Sequence, residues 1–274
     1  MHVLSVVGPD TPARAVADRL AARLAEETRV AAVHRSETNV ESHDESADAR
    51  YELDAAGWTA TGRDRSVDDV LADLAPDYDY ALLVGFPAAD APRVVVGDAG
   101  NAASENEAND APGETLVRAD EPEEVDPAEV RALLDATEPY ETLESLVARV
   151  KESDDAPYSG AIATFTGRVR AKEDEEDDPT ERLEFEKYEG VAEERMADIG
   201  DELEEREGVF DVVMHHRTGV IEYGEDIVFV VVLAGHREEA FRTVEDGIDR
   251  LKDEVPIFKK EVTTDERFWV HEQS

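Results

Sequence analysis

The chain has 274 residues, of which 69 are acidic and 28 are basic, and its formal net charge at pH 7 is −41. A surface of this charge repels nucleic acid, and the absence of cysteine excludes a disulfide framework, a thiolate nucleophile and cysteine-ligated metal. Because 41% of the residues are hydrophobic, the charge indicates a folded protein adapted to high salt rather than a disordered chain. The longest apolar run, 227–234, is too short to span a bilayer and the N-terminus lacks a cationic leader, so we expect a cytoplasmic protein.

Strands and helices alternate in the first part of the chain, which predicts an α/β domain over residues 1–122. Apolar runs predict strands at 3–7, 30–33, 80–85, 93–96 and 115–118, and helical periodicity predicts helices at 13–24 and 67–74. The tract 51–62 is assigned no element. Residues 98–113 contain no large apolar side chain and are expected to form a flexible insertion, and residues 123–137 are expected to form the interdomain linker.

The first strand-to-helix turn lies where a P-loop would bind phosphate. A working loop needs a second glycine, a lysine for the phosphates and a hydroxyl for Mg²⁺, and these positions hold Ala13, Arg14 and Ala15. Pro9 and Pro12 also remove two backbone amide donors. The sequence therefore predicts an ordinary turn without a nucleotide site, in a P-loop-like but degenerate domain.

Residues 138–274 predict a second domain of the α+β class with a mostly antiparallel sheet. Strands at 160–170 and 183–188 are predicted to pair as a hairpin, whose tip is the acidic run 173–178. Helical patterns occupy 128–134, 143–150, 191–207 and 238–254, and further strands are predicted at 209–214, 227–234, 257–262 and 268–270.

Lysine is scarce and unevenly placed in this acidic chain. All six lysines lie beyond residue 150, and Lys252, Lys259 and Lys260 fall within nine positions. A tight lysine group in such a chain indicates a retained chemical need, with chance clustering as the alternative.

Other cations accompany these lysines in the second domain. Arg168 and Arg170 end a predicted strand, and alternation places both side chains on one face of the sheet. His236 and Arg237 follow a buried strand at the start of a helix, where free amides favour anions. Together these residues favour a phosphate or other anion pocket, although each alone also fits a solvated surface cation or a structural histidine.

These residues belong to segments that resemble a known family. From about residue 138 to residue 271 the chain resembles MoaE, the large catalytic subunit of molybdopterin synthase. The matching segments, in chain order, are GAIATFTGRVR at 160–170, FEKYEG at 185–190, VMHHRTGVIEYGEDIVFVVVLAGHREEAF at 213–241, LKDEVPIFKKE at 251–261 and FWV at 268–270. The resemblance implies a sulfurtransferase that builds the dithiolene of molybdopterin on cyclic pyranopterin monophosphate (precursor Z).

The resemblance also implies partners and residue roles. The sulfur would come from a small ubiquitin-like, MoaD-type subunit with a C-terminal Gly-Gly thiocarboxylate, and the large subunit would form a homodimer. No metal and no resident cofactor is expected. Lys252 and Lys259 match the catalytic lysines, and the substrate-binding positions match Arg168, Arg170, His236, Arg237, Lys260 and Glu261. Phe258 stands where many relatives have tryptophan.

The first domain resembles the MobB family of molybdopterin-guanine dinucleotide adaptors, which have a P-loop fold. The segments that carry this likeness are residues 3–7 with their turn and DYDYALLVGFPAADAPRVVV at 77–96. Two alternatives to an enzyme stay open: a non-catalytic adaptor or regulatory protein of the same pathway, and a nucleotide-binding adaptor. The intact Lys252 and Lys259 argue against the first, and the altered turn argues against the second.

Overall fold

A computed structural model describes residues 1–36, 48–55, 57–97, 113–172, 174–175, 178–188, 190–263 and 267–270, with only the backbone given for 263 and 267–270. The chain divides into two compact units, Met1–Thr142 and Leu143–Ser274. No helix in the described ranges combines the length and the apolar character needed to cross a membrane.

The first unit is built on a parallel sheet. Its strands are β1 His2–Val7, β2 Val30–His34, β3 Ala49–Leu53, β4 Trp58–Gly62, β5 Tyr80–Val84, β6 Arg93–Val96 and β7 Thr115–Ala119, and its helices are α1 Asp10–Leu24, α2 Val67–Leu74 and α3 Pro127–Asp135. The sheet has the order β2-β5-β1-β6-β7 with all neighbours parallel. The central strands β5, β1 and β6 are mostly apolar because both of their faces are covered, by α1 and α3 on one side and α2 on the other. The predicted α/β layer is thus confirmed.

Two parts of the first unit differ from the sequence-based expectation. The segment expected as a linker packs into the core, because Val130 and Leu134 lie one helical turn apart in α3 and are both buried. The tract left unassigned forms the β3–β4 hairpin. Tyr51, Leu53 and Trp58 are exposed on it, so it lacks the half-buried alternation that identifies a strand in sequence. The expected insertion lies outside the described residues except for Gly113.

The second unit contains two antiparallel sheets, as the predicted α+β class requires. Its helices are α4 Leu143–Lys151, α5 Val191–Glu204 and α6 Arg237–Glu254, and its strands are β8 Ala161–Arg168, β9 Thr180–Lys187, β10 Val209–His216, β11 Gly219–Glu222, β12 Asp226–Ala234, β13 Ile257–Thr263 and β14 Arg267–Val270. One sheet has the order β10-β12-β8 and the other the order β11-β9-β13-β14. Helices α5 and α6 cover the first sheet, around a core that includes Ile199, Val230 and Leu251.

The hairpin predicted from 160–170 and 183–188 is wrong. β8 pairs with β12, and β9 pairs with β11 and β13, so the two segments belong to different sheets. The long apolar strand β12 offers β8 a partner along its whole length, which the sequence-adjacent β9 does not. Part of the acidic run between them, residues 173, 176 and 177, lies outside the described residues.

The direction of α6 fixes which residues can share a site. Two residues separate the end of β12 from the start of the helix. Gly247 in the middle of the helix lies over the middle of β12, where an added Cβ would be 3.1 Å from Val230. α6 therefore runs back along β12 and in the same direction as β8, which is antiparallel to β12. The end of β8 and the end of α6 consequently lie at the same edge of the unit.

Candidate functional site

The first candidate region is the N-terminal end of α6. Gly160, Gly235, His236, Arg237, Glu238 and Glu239 line an open cavity of about 520 Å³. His236 occupies the N-cap position without a side-chain capping hydrogen bond, and both His236 and Arg237 are exposed. Free helix amides beside Arg237 favour an anion. The carboxylates of Glu238 and Glu239 in the same turn disfavour anion binding. Oε2 of Glu239 is buried without a hydrogen-bond partner.

Glycines allow the backbone to close around this cavity. A Cβ on Gly160 would lie 2.6 Å from the carbonyl oxygen of Gly235, which only glycine avoids without a backbone shift. The N–H of Gly235 in turn donates to the carbonyl of Gly208 at 2.8 Å. This end of the helix is therefore a shaped backbone pocket, with His236 and Arg237 at its rim.

The second candidate region is the opposite end of α6. Lys252 lies in the last turn and is exposed, and Val255 and Pro256 connect the helix to β13. Fifteen residues of helix separate Lys252 from Arg237, which corresponds to about 22 Å at a rise of 1.5 Å per residue. Within one chain, Lys252 and the His236–Arg237 pair therefore do not share a pocket.

Arg168 lies at the same edge of the unit as Lys252. Its Nε donates to the carbonyl of Gly224 at 3.1 Å and lies 3.2 Å from Oδ1 of Asp226, so the guanidinium is anchored although it is 63% exposed. β8 ends here, and Arg170 follows beyond the strand. Arg168 and Arg170 are exposed, and Val169 between them is buried. This alternation places the two arginine side chains on one side, as predicted.

β13 separates the remaining predicted residues onto two faces. Lys259 lies opposite Phe185 and Glu261 opposite Leu183, so both share the face of the small core formed with Ile221. Lys260 points to the other face, where its Nζ lies 2.5 Å from Oε2 of Glu184. Because the two side chains point to opposite faces of the sheet, Lys259 and Lys260 cannot both line one pocket on a single face.

Glu261 is held in place from β9. Its carboxylate accepts a hydrogen bond from the hydroxyl of Thr180, and the backbone N–H of Thr180 donates to the carbonyl of Ala171 at 2.8 Å. This short path links Glu261 to the residue that follows Arg170. The two predicted substrate-binding positions are thus connected through the start of β9.

Sequence reasoning did not select Lys187, which the structure places in the same group. It lies opposite Ile257 at the end of β9, on the face of Lys259, and its side chain is only 5% exposed. Its Nζ lies 2.5 Å from Oε1 of Glu193. Burial is the largest single influence and would raise the pKa of Glu193, but the hydrogen bond and positive charge of Lys187 together with backbone N–H donors, including that of Gly190, hold that pKa below its usual value. The signal available in sequence was the scarcity of lysine itself, since Lys187 is one of six.

Three of the six lysines therefore surround the connection from α6 to β13: Lys187, Lys252 and Lys259. Together with the anchored Arg168, they form a cationic edge on a strongly acidic protein, which we call the lysine site. Such a group can stabilise a developing negative charge and can donate or accept a proton. In the described residues, no cluster of three or more His, Asp or Glu side chains is arranged to hold a metal ion.

The turn of the first unit has a different character. α1 begins at Asp10 after Pro9, and Nε of Arg14 lies 2.8 Å from Oδ1 of Asp10. A Cβ at Gly8 would overlap the carbonyl oxygen of Val96, so this glycine serves close packing. The guanidinium at the position of a P-loop lysine is thus engaged within its own helix.

Comparisons with known proteins bear on both units. The model of the MoaE protein family matches residues 136–254. The chain is 56% identical to a probable molybdopterin synthase of Haloferax volcanii over 279 aligned positions, which cover 100% of both proteins. It is 38% identical to the molybdopterin synthase catalytic subunit of Bacillus subtilis over 130 residues, which cover 47% of this chain and 79% of that protein.

Two solved structures are similar to parts of the chain. The crystal structure of molybdopterin synthase from Staphylococcus aureus is 38% identical and covers 42% of this chain and 82% of its own, with a TM-score of 0.40. A MobB protein homolog from Bacillus stearothermophilus is 23% identical and covers 43% of this chain and 78% of its own, with a TM-score of 0.35.

Proposed function

The chain belongs to the MoaE family of molybdopterin synthase catalytic subunits, and on that premise we propose that it catalyses sulfur transfer to cyclic pyranopterin monophosphate. The sulfur donor is the C-terminal thiocarboxylate of a small ubiquitin-like subunit, and the product is the dithiolene of molybdopterin. Membership in the family confirms the resemblance predicted from the sequence motifs and assigns the chain to molybdenum cofactor biosynthesis.

One observation carries the proposal: the lysine site gathers cations at one edge of a protein whose net charge is −41. Both the substrate phosphate and the thiocarboxylate are anions that most of this surface repels. An edge that presents Lys252, Lys259 and Arg168 attracts such anions. The scarcity of lysine elsewhere supports a functional origin for this placement.

The position of each residue suggests its role in the reaction. Lys252 is exposed on a helix end and can reach a thiocarboxylate that enters from solvent, where its ammonium stabilises the developing anion or transfers a proton. Lys259 projects from a strand in a partly buried position and is more fixed. Arg168, anchored by Gly224 and Asp226, is suited to hold a phosphate group by charge and hydrogen bonding.

The distance along α6 has a consequence for the assembly. His236 and Arg237 lie about 22 Å from Lys252, yet the family resemblance assigns both groups to one substrate. A second copy of the chain resolves this difference if its His236 and Arg237 complete the lysine site of the first copy. The homodimer implied by the resemblance is then part of the active site, with two equivalent sites related by twofold symmetry.

Reconstitution tests the proposed activity directly. The purified chain, a thiocarboxylated small subunit and cyclic pyranopterin monophosphate are combined in molar KCl, and molybdopterin is measured as its fluorescent oxidation product. We expect product in proportion to the thiocarboxylate consumed. A chain that binds the small subunit but consumes no thiocarboxylate would instead be a non-catalytic adaptor.

A further inference from the structure

The partner of Lys187 suggests a role beyond packing. Glu193 lies in the first turn of α5, and its carboxylate makes two contacts, one with the ammonium of Lys187 at 2.5 Å and one with the backbone N–H of Gly190 at 2.8 Å. The Lys187 side chain is nearly buried, whereas Glu193 is partly exposed. An ion pair of this kind ties the end of β9 to the start of α5.

The same ion pair lies beside the reactive lysine. Lys187 is opposite Ile257, and Lys259 is two residues further along β13, so Lys187 and Lys259 are diagonal neighbours on one sheet face. Diagonal cross-strand neighbours are separated by about 7–8 Å, a distance that long side chains span. Lys259 is thus the other lysine that the register of β9 and β13 places on this sheet face.

We propose that Lys187 is a positioning residue of the lysine site, and that its ion pair with Glu193 keeps this carboxylate from pairing with Lys259. The inference rests on the proposed function for its effect on turnover, but the charge arrangement can be tested without turnover. Lys187 touches neither substrate nor thiocarboxylate in this account and acts through Glu193 and Lys259.

Other charged or titratable groups lie on β13 and on the surrounding elements of the second unit. They are Glu261 of β13, His216 of β10, whose ring lies 4.8 Å from Phe185, Arg195 of α5, and Lys252 and Glu254 of α6. Arg195 and Glu254 are paired with each other, and Glu261 accepts from Thr180. Glu193 is the carboxylate that contacts the ammonium of Lys187.

The test compares three variants that separate charge from packing. Lys187→Met removes the ammonium but keeps an apolar stem, Lys187→Arg keeps the positive charge, and Lys187→Met combined with Glu193→Gln removes both charges. We expect Lys187→Met to lower kcat about tenfold, the scale of an opposite charge arriving within about 4–6 Å of an ionisable group. The arginine variant and the double variant should recover to within about threefold of wild type, since neither leaves an uncompensated carboxylate.

A second readout uses the full chain without substrates. The rate at which acetic anhydride modifies Lys259 is followed by mass spectrometry, with the exposed Lys151 at the end of α4 as internal reference. We expect Lys187→Met to slow the acetylation of Lys259 about tenfold relative to Lys151, and the double variant to restore it. This pattern supports the proposal even in a chain that forms no molybdopterin, in which case only the proposed function fails.

Two results would overturn the inference. One is an unchanged acetylation rate of Lys259 in Lys187→Met. The other is a double variant that is as slow as Lys187→Met in both assays, because a packing defect is not repaired by removing a second group. Thermal unfolding of every variant, measured in the same molar KCl, identifies loss of folding separately.

Discussion

The two units contain comparable strand-to-helix turns with opposite chemical content. In each, a buried strand ends, a glycine follows within two residues, and a helix of at least four turns begins. In the first unit Asp10 pairs with Arg14 inside the helix and prolines flank the turn. In the second unit His236 and Arg237 are exposed at the rim of a cavity. From this comparison we expect an anion to bind at such a strand-to-helix turn only where the cations are directed to solvent, as in the second unit.

The difference extends from the turns to the whole units. The first unit contains no lysine, whereas the second contains all six, three of them in the lysine site. Both units have buried cores and both carry acidic surfaces. Chemistry is therefore expected to depend on the second unit, and stability in salt on both.

The largest effect expected is that of Lys252→Ala on dithiolene formation. Because Lys252 is exposed at a helix end and alanine is a better helix former, the fold should be retained. Loss of the ammonium removes both charge stabilisation and a proton-transfer group, each worth roughly 10²-fold or more in rate. Product formation under single-turnover conditions measures the loss, and Lys259→Ala should also slow the reaction.

The matched control for this variant is Lys151→Ala. Lys151 also ends a helix of the second unit and is exposed, but it lies outside the lysine site. It should retain wild-type rate. A Lys252→Ala chain that kept more than about a tenth of wild-type rate would contradict the catalytic role, since a loss of about 10²-fold is expected.

Salt should affect both units strongly and alike. At 0.1 M the Debye length is about 10 Å, and at 1 M about 3 Å, so molar KCl screens repulsion between the acidic side chains. We expect the melting temperature to rise by at least about 10 °C between 0.1 M and 2 M KCl, which corresponds to a few kcal/mol for a domain of this size. Equal melting temperatures at the two concentrations would mean that the charge of −41 is not an adaptation to salt.

The elements that sequence predicted best are those with strong periodicity or continuous burial. Helix 67–74 and strand 93–96 coincide with the structure, and the ends of α6 differ from the prediction by one residue or none. Strand pairing was not predictable in the same way. β8 and β9 are adjacent in sequence, but their partners are decided by packing between distant segments.

The candidate site shows the same limit. Motifs selected Lys252, Lys259 and Arg168, which the structure places at one edge of the unit, and also the His236–Arg237 pair, which lies at the other end of α6. Helix length alone could have revealed this separation. The opposite faces of Lys259 and Lys260 follow from strand alternation, but the pairing of Lys187 with Glu193 depends on how β9 meets α5.

Mixing two inactive variants tests whether the active site is shared between copies. Lys252→Ala and Arg237→Ala chains are unfolded, combined and refolded in molar KCl. If each site uses Lys252 of one copy and Arg237 of the other, half of the dimers are mixed and each contains one intact site, so about a quarter of wild-type rate should return. The same mixture of Lys252→Ala with Lys259→Ala should regain nothing when both lysines belong to one copy. A site formed within one chain would give no recovery in either mixture.

A smaller effect is expected at Asp211, a partly buried acid of the second unit that has no proposed chemistry. Burial raises the pKa of Asp211 above its ordinary value. Because the folded chain then binds this proton more tightly than the unfolded chain, the residue favours folding at low pH, and this contribution is lost as pH rises through the folded pKa. Asp211→Asn should raise the melting temperature at pH 7.5 by about 1–2 °C, a few tenths of a kcal/mol, and by less at pH 4.5. A larger rise in melting temperature at pH 4.5 than at pH 7.5 would show that burial is not the main influence on the pKa of Asp211.

The last prediction concerns nucleotide binding by the first unit, and we expect no binding. A P-loop holds phosphates with a lysine and Mg²⁺ with a hydroxyl, and here these positions are Arg14, which is paired with Asp10, and Ala15. Arginine is also a poor geometric substitute in a cradle built for a point charge. Calorimetric titration of the full chain with Mg-GTP in molar KCl should show no heat of binding, and Arg14→Lys should not create it because Ala15 still lacks the hydroxyl. A micromolar dissociation constant for the wild-type chain would instead make the first unit an active nucleotide adaptor. Both turns would then bind ligands, and they would differ only in which ligand each one binds.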